Sequence, residues 1–333
     1  MLDPVQAAFN IGALIRWVDY NDAFYGATVI HPSDTLSGIL ATADWLSRTR
    51  VADGKPPLMM RDVLEATVKA YEIMGCLALE NGYGPVGLDH TILVKIGVTA
   101  VVTKMVGGTR EEIMNAVSNA WVDGHPLAAF RRKPNTGSRK SWAAGDAASR
   151  SVRLALMAVK GEMGYPSALT AKGWGFYDVL FKGKPFKFQR PYGSYVIENV
   201  LFKIAYPTAF HGQTGVEAAI KLHPLVKDRL DDIKRIESKV FEREYHDPAK
   251  RTNANSIQIF FEDGTKSPLS QVDYPLGHRK RRKEGIPLLI EKLDKNIARV
   301  YAEKQRRALR AVCLDRARLA ALPVNEFLEM LAT

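Results

Sequence analysis

The sequence predicts a mainly α-helical protein with a smaller α+β domain. Apolar residues at helical spacing dominate residues 1–182, and they return after residue 278. Between them, 183–277 is rich in aromatic and β-branched residues and is broken by Pro and Gly. We therefore expect a large helical domain over 1–182, an α+β domain over 183–277, and C-terminal helices over 278–333 that pack back on the helical domain.

Cap residues and apolar spacing place the first helices. Asp3 is a predicted N-cap, with Pro4 at the first helical position. Apolar residues then recur near helical spacing at Phe9, Leu14, Ile15 and Val18. A second stripe follows at Leu36, Ile39, Leu40, Ala43 and Leu46, and a third helix is predicted over roughly 61–80.

Two further helices have polar starts. Thr109 and Glu112 have the spacing of a capping box. Asp146 is predicted to cap the helix that stops at Gly161. In the smaller domain, residues 214–240 read as mostly helical, and Asp263-Gly264 marks the turn of a β-hairpin.

Composition bounds the function. The 333 residues include 46% hydrophobic and 25% charged residues, as in ordinary globular proteins, but the net charge of +11 favours anionic partners. The two cysteines, Cys76 and Cys313, are too few for a disulfide scaffold or for an iron–sulfur cluster held by this chain. No run of 18 apolar residues and no signal peptide is present, so we expect an intracellular protein without a membrane partner.

The sequence lacks the common cofactor and metal motifs. It contains no G-x-G-x-x-G between strand and helix, no P-loop and no zinc spacing of Cys and His. Two histidines stand in polar contexts. His31 follows Asp19, Asn21 and Asp22 and precedes a helix, and His90 follows Asp89 at the head of an apolar helix. Each context also fits an ordinary helix cap or loop residue.

A basic stretch, "RRKPNTGSRKSWAAGDAASR" over 131–150, leads into a helix. Backbone N–H groups, the helix dipole and the cations Arg139 and Lys140 suit a cluster of carboxylates. A solvated surface is the alternative for the first cations of the stretch. Nucleic acid is a weaker alternative, because aromatic residues are not interleaved there. The second basic run, 277–285, reads first as a solvated surface.

Several longer segments resemble one family. They are "RWVDYNDAFYGATVIHPSDTLSGILATADWLSR", "GLDHTILVKIG", "RRKPNTGSRKSWAAGDAASRSVRLALMA", "GEMGYPSALTA", "GWGFYDVLFKGKPF", "NVLFKIAYPTAFHGQTGVEAA" and "YPLGHRKRRKEGIP". Along nearly the whole chain they are similar to the MmgE/PrpD superfamily, nearest to its branch that dehydrates 2-methylcitrate. The resemblance implies a two-domain fold, a homodimer, a mitochondrial or cytoplasmic location, and a lyase that uses no cofactor and no metal.

The resemblance also implies an active site. Its catalytic residues would be Asp19, His31, His90, Lys140 and Lys203, and its substrate-binding residues Ser138, Arg139 and His211. Dehydrating a tricarboxylate requires a base for the proton beside a carboxylate, an acid for the leaving hydroxide, and cations for the developing charge. The two histidines suit the first two tasks, with acid and base left unassigned, and the lysines suit the third.

The sequence departs from the family pattern in ways that leave alternatives open. Ala23 replaces the usual threonine, early helices are expected to be missing, and 223–250 is expected to skip a segment of the second domain. The fold is therefore expected to be incomplete. Alternatives to 2-methylcitrate dehydration are an alkylcitrate dehydratase of a secondary-metabolite pathway making maleic-anhydride polyketides, a truncated inactive member, and, weakest, a nucleic-acid binder.

Overall fold

The protein, seen in a computed structural model, divides into two compact units. The structure describes residues 2–122, 124–241 and 252–332, so the later part of the predicted shortened segment lies outside it. The first unit is Met1–Val200 with Leu293–Thr333, and the second is Leu201–Lys292. These limits differ from the domain limits predicted at 182/183 and 277/278. In the described residues, no helix has the length and apolar character needed to cross a membrane.

The secondary structure confirms a mainly helical chain with a smaller α+β part. The helices are α1 Pro4–Ile15, α2 Leu36–Ala52, α3 Met60–Glu80, α4 Thr91–Met105, α5 Arg110–Val122, α6 Arg139–Ala158, α7 Phe176–Phe181, α8 Tyr195–Asn199, α9 Phe210–Val226, α10 Arg282–Ile297, α11 Glu303–Leu314, α12 Arg316–Ala320 and α13 Val324–Glu329. The strands are β1 Ile233–Val240, β2 Asn255–Phe261 and β3 Ser270–Val272.

Two predicted helix starts are confirmed. The Asp3 carboxylate accepts hydrogen bonds from the main-chain N–H groups of Val5 and Gln6, at 2.9 and 3.1 Å. Thr109 and Glu112 form the expected capping box before α5, each side chain accepting the other's main-chain N–H. Both caps satisfy donors that a helix leaves open at its first turn.

The predicted cap at Asp146 is wrong. Helix α6 begins at Arg139, and Asp146 lies inside it, where its carboxylate is 3.3 Å from Arg150 and 3.5 Å from Arg139. The alanines on both sides of Asp146 have high helix propensity and continue the helix through it. The helix stops where predicted, just before Gly161, which has a φ of +95°.

Helix α4 lies in the core of the first unit. Its sequence is mostly apolar, and nearly all of its residues are buried, including Lys95. Helices α2, α3, α5 and α6 pack around it. A helix with apolar residues on most of its faces is stable only when neighbours cover those faces.

Glycines allow α1 and α6 to cross closely. Gly12 of α1 and Gly145 of α6 face each other, and a Cβ built on Gly12 would lie 2.5 Å from the Gly145 Cα. A Cβ on Gly145 would in turn lie 2.5 Å from the carbonyl oxygen of Phe9. The two backbones therefore meet at a distance that only glycine permits. This crossing brings the end of α1 next to the start of α6.

Residues 183–200 belong to the first unit because their side chains pack into it. Phe186 lies in an aromatic cluster with Tyr83, Trp121, Phe176, Tyr177 and Phe181. The Asn81 side chain exchanges two hydrogen bonds of 2.9 Å with the main chain of Lys187. The buried Glu72 carboxylate accepts main-chain N–H groups from Gly193 and Val196. Composition alone could not reveal these contacts.

The C-terminal segment from Leu293 is part of the same unit. Main-chain hydrogen bonds join Met60 to Leu322 and Val324 to Leu58, at 2.8 and 2.9 Å. They fix the start of α13 beside the start of α3.

The second unit is a three-stranded antiparallel sheet, ordered β1-β2-β3, with α9 packed on it. Leu222 and Val226 of α9 form a core cluster with Ile259 and Phe261 of β2. The predicted turn at Asp263-Gly264 is confirmed, because Gly264 has a φ of +85° and the Asp263 carboxylate accepts the N–H of Thr265.

The predicted helix over 214–240 is only partly correct. Helix α9 ends at Val226, and Ile233–Val240 is strand β1, paired with β2. Local spacing favoured helix there, but pairing with β2 is a long-range interaction that overrides local propensity.

The crossing of α1 and α6 gives a stability prediction. Gly145→Ala would push a methyl group into the Phe9 carbonyl, and overpacking of this kind costs about 1–3 kcal/mol. Thermal unfolding should therefore begin at a lower temperature than in the wild type. Gly84→Ala is the control, because a Cβ at Gly84 meets nothing within 4 Å. Equal melting temperatures for the two variants would contradict this account.

Candidate active site

The candidate site is built on the loop between α1 and α2, residues 16–35. The loop is closed by paired main-chain hydrogen bonds between Phe24 and Ile30. It contains one short 3-10 turn at Trp17–Asp19 and another at Pro32–Thr35. The polar residues of both turns therefore return to the end of α1.

The Asp19 carboxylate is held in a strained backbone. Val18 and Asp19 have φ values of 56° and 54°, in the left-handed region that β-branched residues avoid. Such a conformation costs about 1–3 kcal/mol per residue. It is held by an ion pair of 2.9 Å from Arg16 and by a main-chain hydrogen bond from Asp19 to Arg16. The strain aims Asp19 at α6, where Lys140 lies 3.1 Å away.

His31 is oriented by the residue nine positions before it. Its Nδ1 lies 2.5 Å from the main-chain oxygen of Asp22. A carbonyl oxygen can only accept, so Nδ1 carries the proton, and Nε2 carries the lone pair whenever the ring is neutral. The hydrogen bond thus fixes both the tautomer and the plane of the ring.

The Asp22 carboxyl holds the loop segment that carries the carbonyl bonded to His31. It accepts hydrogen bonds from the amide and hydroxyl of Ser33 and from the Tyr71 hydroxyl, at 2.6 to 3.2 Å. Burial raises the pKa of Asp22 to about 6, although the hydrogen bonds from Ser33 and Tyr71 work in the opposite direction. Burial also raises the pKa of Tyr71, and the Asp22 charge adds to this effect.

His90 lies at the start of α4 and is 8% exposed. The cap of this helix is the neighbouring Asp89, which accepts the N–H and hydroxyl of Thr91. Arg131 binds the same carboxylate with two nitrogens. Burial of Asp89 favours its neutral form, but the charges of His90 and Arg131 outweigh this and hold its pKa well below the usual range. His90 is therefore left for a task other than capping.

The structure brings His31 and His90 together. Their ring centroids are 5.2 Å apart, with planes inclined by 57°. The Nε2 of His90 lies 3.6 Å from the carboxylate of Asp34, which lies 3.7 Å from Arg16. Arg16 is 2% exposed and also contacts Asp19. Contacts through Arg16 and Asp34 thus join Lys140 and Asp19 to His90, whose ring faces that of His31.

The basic stretch 131–150 separates into residues with different contacts. Arg139 stacks over the Trp142 ring at 4.3 Å and faces Asp146. It lines a polar cavity of about 210 Å³ with Thr91, Lys95 and His125 among others. Ser138 is exposed and makes no capping hydrogen bond with its side chain. Of the predicted residues in this stretch, Lys140 is the one that contacts Asp19.

A solvated surface was the alternative interpretation for the first cations of this stretch. It is wrong for Arg131. Its side chain is bound to buried Asp89. Arg132 and Lys133 are exposed, as that alternative expected. The role of each cation in this stretch therefore depends on its own contacts and not on how many cations lie close together in the sequence.

Lys203 and His211 belong to the second unit. Lys203 is 2% exposed, its ammonium lies 5.1 Å from the Phe210 ring centroid, and its carbonyl accepts a 2.6 Å hydrogen bond from Lys292. Burial lowers the pKa of Lys292 to about 8, helped by the Lys203 charge. Loss of solvent lowers the pKa of His211, against a hydrogen bond with Asn253. The catalytic and binding roles of Lys203 and His211 stay predictions.

The second basic run, 277–285, is used largely inside its own unit. Arg281 donates to Glu217, Glu284 and the carbonyl of Tyr274. Lys280 donates to the Tyr274 hydroxyl, and Arg282 lies 3.7 Å from the Phe202 ring centroid. These cations are committed to protein partners, which weakens the nucleic-acid alternative.

Sequence reasoning missed several residues of this site. They are Arg16, Asp34, Tyr71 and Arg131, together with the supporting roles of Asp22 and Asp89. Of Asp22 and Asp89, whose contexts also fit a helix cap, Asp89 caps α4. The spacing of charges in "RWVDYND" and "HPSD" was visible, but their pairing depends on how the loop closes.

Known proteins match most of this chain. Residues 1–189 match the MmgE/PrpD N-terminal domain, and residues 237–316 match the MmgE/PrpD C-terminal domain. A protein of Cupriavidus necator named 2-methylcitrate dehydratase is 51% identical, covering 99% of this chain and 83% of the relative. That alignment runs over 400 positions, more than the 333 residues here, so this chain has gaps against the relative.

Two fungal relatives are more distant. The mitochondrial 2-methylcitrate dehydratase of Yarrowia lipolytica is 46% identical, covering 91% of this chain and 72% of the relative. The 2-methylcitrate dehydratase-like protein oryR of Aspergillus oryzae is 36% identical, covering 99% and 81%.

The raised pKa of Asp22 predicts how the stability of the protein depends on pH. Because the folded pKa of Asp22 is about 6 and an unperturbed aspartate titrates near 3.8, the folded state binds the extra proton between these values. The contribution of the Asp22 carboxyl to the free energy of unfolding is therefore fully present below about pH 4. It is lost as the pH rises through about 6. The loss is on the order of 3 kcal/mol.

The Asp22→Asn variant tests this directly. The amide cannot ionise, so the variant should gain free energy of unfolding relative to the wild type as pH rises from about 4 to 7. Denaturant unfolding at several pH values measures this difference. Asp53→Asn, at an exposed aspartate, should show a difference that does not change with pH. A constant difference for Asp22→Asn would contradict the burial of its carboxyl.

Proposed function

The chain belongs to the MmgE/PrpD family, and from this premise we propose that it is a hydro-lyase that dehydrates 2-methylcitrate to 2-methyl-cis-aconitate. Relatives with the name 2-methylcitrate dehydratase, at 46% and 51% identity, support this substrate. The observation that carries the proposal is the pair of imidazoles 5.2 Å apart beside the ion pair of Lys140 and Asp19.

The proposed reaction is an elimination shared between the histidines. The substrate loses a proton from the carbon beside a carboxylate, its C–O bond to the tertiary hydroxyl breaks, and a C=C bond forms. His31 acts as the base through Nε2, because its Nδ1 proton is held by the Asp22 carbonyl. His90 acts as the acid and gives its proton to the departing hydroxide, which leaves as water.

Lys140 supplies the positive charge in this proposal. Removing the carbon proton places negative charge on the neighbouring carboxylate, and a nearby ammonium lowers the energy of that state. The Lys140 side chain is 41% exposed and is held by Asp19, so it faces solvent where a substrate can enter. Membership of the family also implies a homodimer and a location in the mitochondrial matrix or the cytoplasm. The proposal includes the homodimer and this location.

The direct test is an assay of the purified protein with 2-methylcitrate. The new C=C bond, conjugated with carboxylates, absorbs in the ultraviolet and reports turnover. Citrates with longer alkyl chains, assayed in parallel, test the alternative of secondary metabolism. Absence of turnover with every alkylcitrate would overturn the proposal in favour of an inactive relative.

The acid and base roles give the next prediction. His31→Ala and His90→Ala should each lower kcat by about 10² or more, the usual scale for a lost general acid or base. His223→Ala, at an exposed histidine of α9, is the matched control and should keep wild-type turnover. Wild-type kcat in either site variant would remove that histidine from the mechanism.

The role of Lys140 is tested by removing its charge alone. Local sequence indicates no protein partner for Lys140, whereas the structure pairs it with Asp19. Asp19 keeps Arg16 at 2.9 Å in a Lys140→Met variant, so the fold should survive. Loss of a charge-assisted contact of about 1.5–3 kcal/mol should lower kcat/KM by about 10- to 100-fold.

A matched lysine controls for the loss of a surface ion pair. Lys55 is also paired with an aspartate, Asp53 at 3.6 Å, but lies at the end of α2. Lys55→Met should leave kcat/KM unchanged, because exposed pairs contribute about 0–1 kcal/mol to stability. Equal effects of the two substitutions would place the anion site elsewhere.

A further inference from the structure

Asp34 is a buried carboxylate that the proposed elimination does not use. It is 1% exposed and lies in the turn that precedes α2. One carboxylate oxygen accepts a 2.9 Å hydrogen bond from the Asn21 side chain. The other oxygen has no hydrogen bond among the described residues, and lies 3.6 Å from His90 Nε2 and 3.7 Å from Arg16. An ionised oxygen in such a place requires positive charge nearby.

We propose that Asp34 is a positioning residue for His90: held by Arg16 and Asn21, its carboxylate orients the imidazole and stabilises the imidazolium that gives up the proton. The inference rests on the proposed function, in which His90 is the acid. The imidazolium is the form that acts as the acid, and its positive charge is balanced by the anion beside Nε2. A small rotation of either side chain would close the 3.6 Å gap to a hydrogen bond from Nε2, and the proton given to the departing hydroxide is then the one on Nδ1.

A second carboxylate and two other charged or titratable groups face the same ring. Asp89 lies 3.6 Å from His90 Nδ1, but its carboxylate is already bound by Arg131 and by Thr91. His31 faces the ring at 5.2 Å. Arg16, from α1, divides its charge between Asp34 and Asp19.

Two more groups respond to the Asp34 charge from other elements. It adds to the raised pKa of Asp22 in the loop and of Tyr71 on α3, behind desolvation as the larger cause. The Asp34 charge therefore acts on groups of the loop and of α3 as well as on α4. An alternative role for Asp34 is purely structural, as the buried partner of Arg16.

The test separates these two roles by the titration of His90. Asp34→Asn removes the charge and keeps an oxygen for Asn21. The His90 ring is followed by NMR over a pH series, with its signal assigned by its loss in His90→Gln. The midpoint of the His90 titration should fall by about one pH unit, the lower end of the effect of a nearby opposite charge. An unchanged midpoint overturns the proposal.

Kinetics supply the second readout. With 2-methylcitrate, Asp34→Asn should lower kcat about tenfold with little change in KM, and the upper limb of the kcat profile should move to lower pH. Asp34→Glu, which keeps the charge, should recover part of kcat. Thr42→Val is the matched control, because Thr42 is a buried α2 residue whose hydroxyl has no hydrogen bond among the described residues. A loss of activity with an unmoved pH profile supports the structural role and overturns ours.

An inactive wild type and an unfolded Asp34→Asn variant have different consequences. If the wild type has no turnover, the proposed function fails, but the NMR titration still decides whether Asp34 acts on His90. If Asp34→Asn does not fold, the reciprocal measurement replaces it. His90→Gln should raise the titration midpoint of the Asp34 carboxyl, because the coupling between two charges is mutual. An unmoved Asp34 midpoint in that variant overturns the proposal.

Discussion

Arg16 is the buried cation on which the candidate site depends. Its guanidinium contacts Asp19 on one side and Asp34 on the other, and it donates to Asn21 between them. A buried charge without partners would cost several kcal/mol, so these contacts are obligatory. Because Arg16 directly follows α1, the carboxylates of both loop turns are drawn back to the end of that helix. The position of that end is set in turn by the glycine contact between α1 and α6.

The two histidines depend on this frame in different ways. His31 is held through its neighbour in the loop, since the Asp22 carbonyl takes its Nδ1 proton and the Asp22 carboxyl anchors Ser33. His90 is held by its place at the head of a buried helix and by the carboxylates near its two nitrogens. One ring is thus fixed by a hydrogen bond, and the other by packing and charge. The difference in support is the basis for assigning them different roles.

Cations of similar appearance in the sequence have separate tasks. Arg131 and Arg281 are bound to buried carboxylates and stabilise the fold, whereas the exposed Lys140 pairs with Asp19 at the candidate site. The net charge of +11 is therefore not a continuous binding surface. It is a sum of charges, several of which are neutralised by near neighbours and are not available to a ligand.

The sequence alone determined the fold class, the family, the helix start at Asp3, the capping box at Thr109 and the hairpin turn at Asp263-Gly264. These are local signals, in which spacing or one side chain satisfies a nearby backbone group. It also pointed to Asp19, His31, His90 and Lys140, because their motifs are specific. Tertiary structure alone decided that Ile233–Val240 is a strand, that Asp146 lies inside a helix, and that Arg16 and Asp34 lie beside His90. Strand pairing and buried ion pairs join residues distant along the chain, and no local pattern records which partner each will meet.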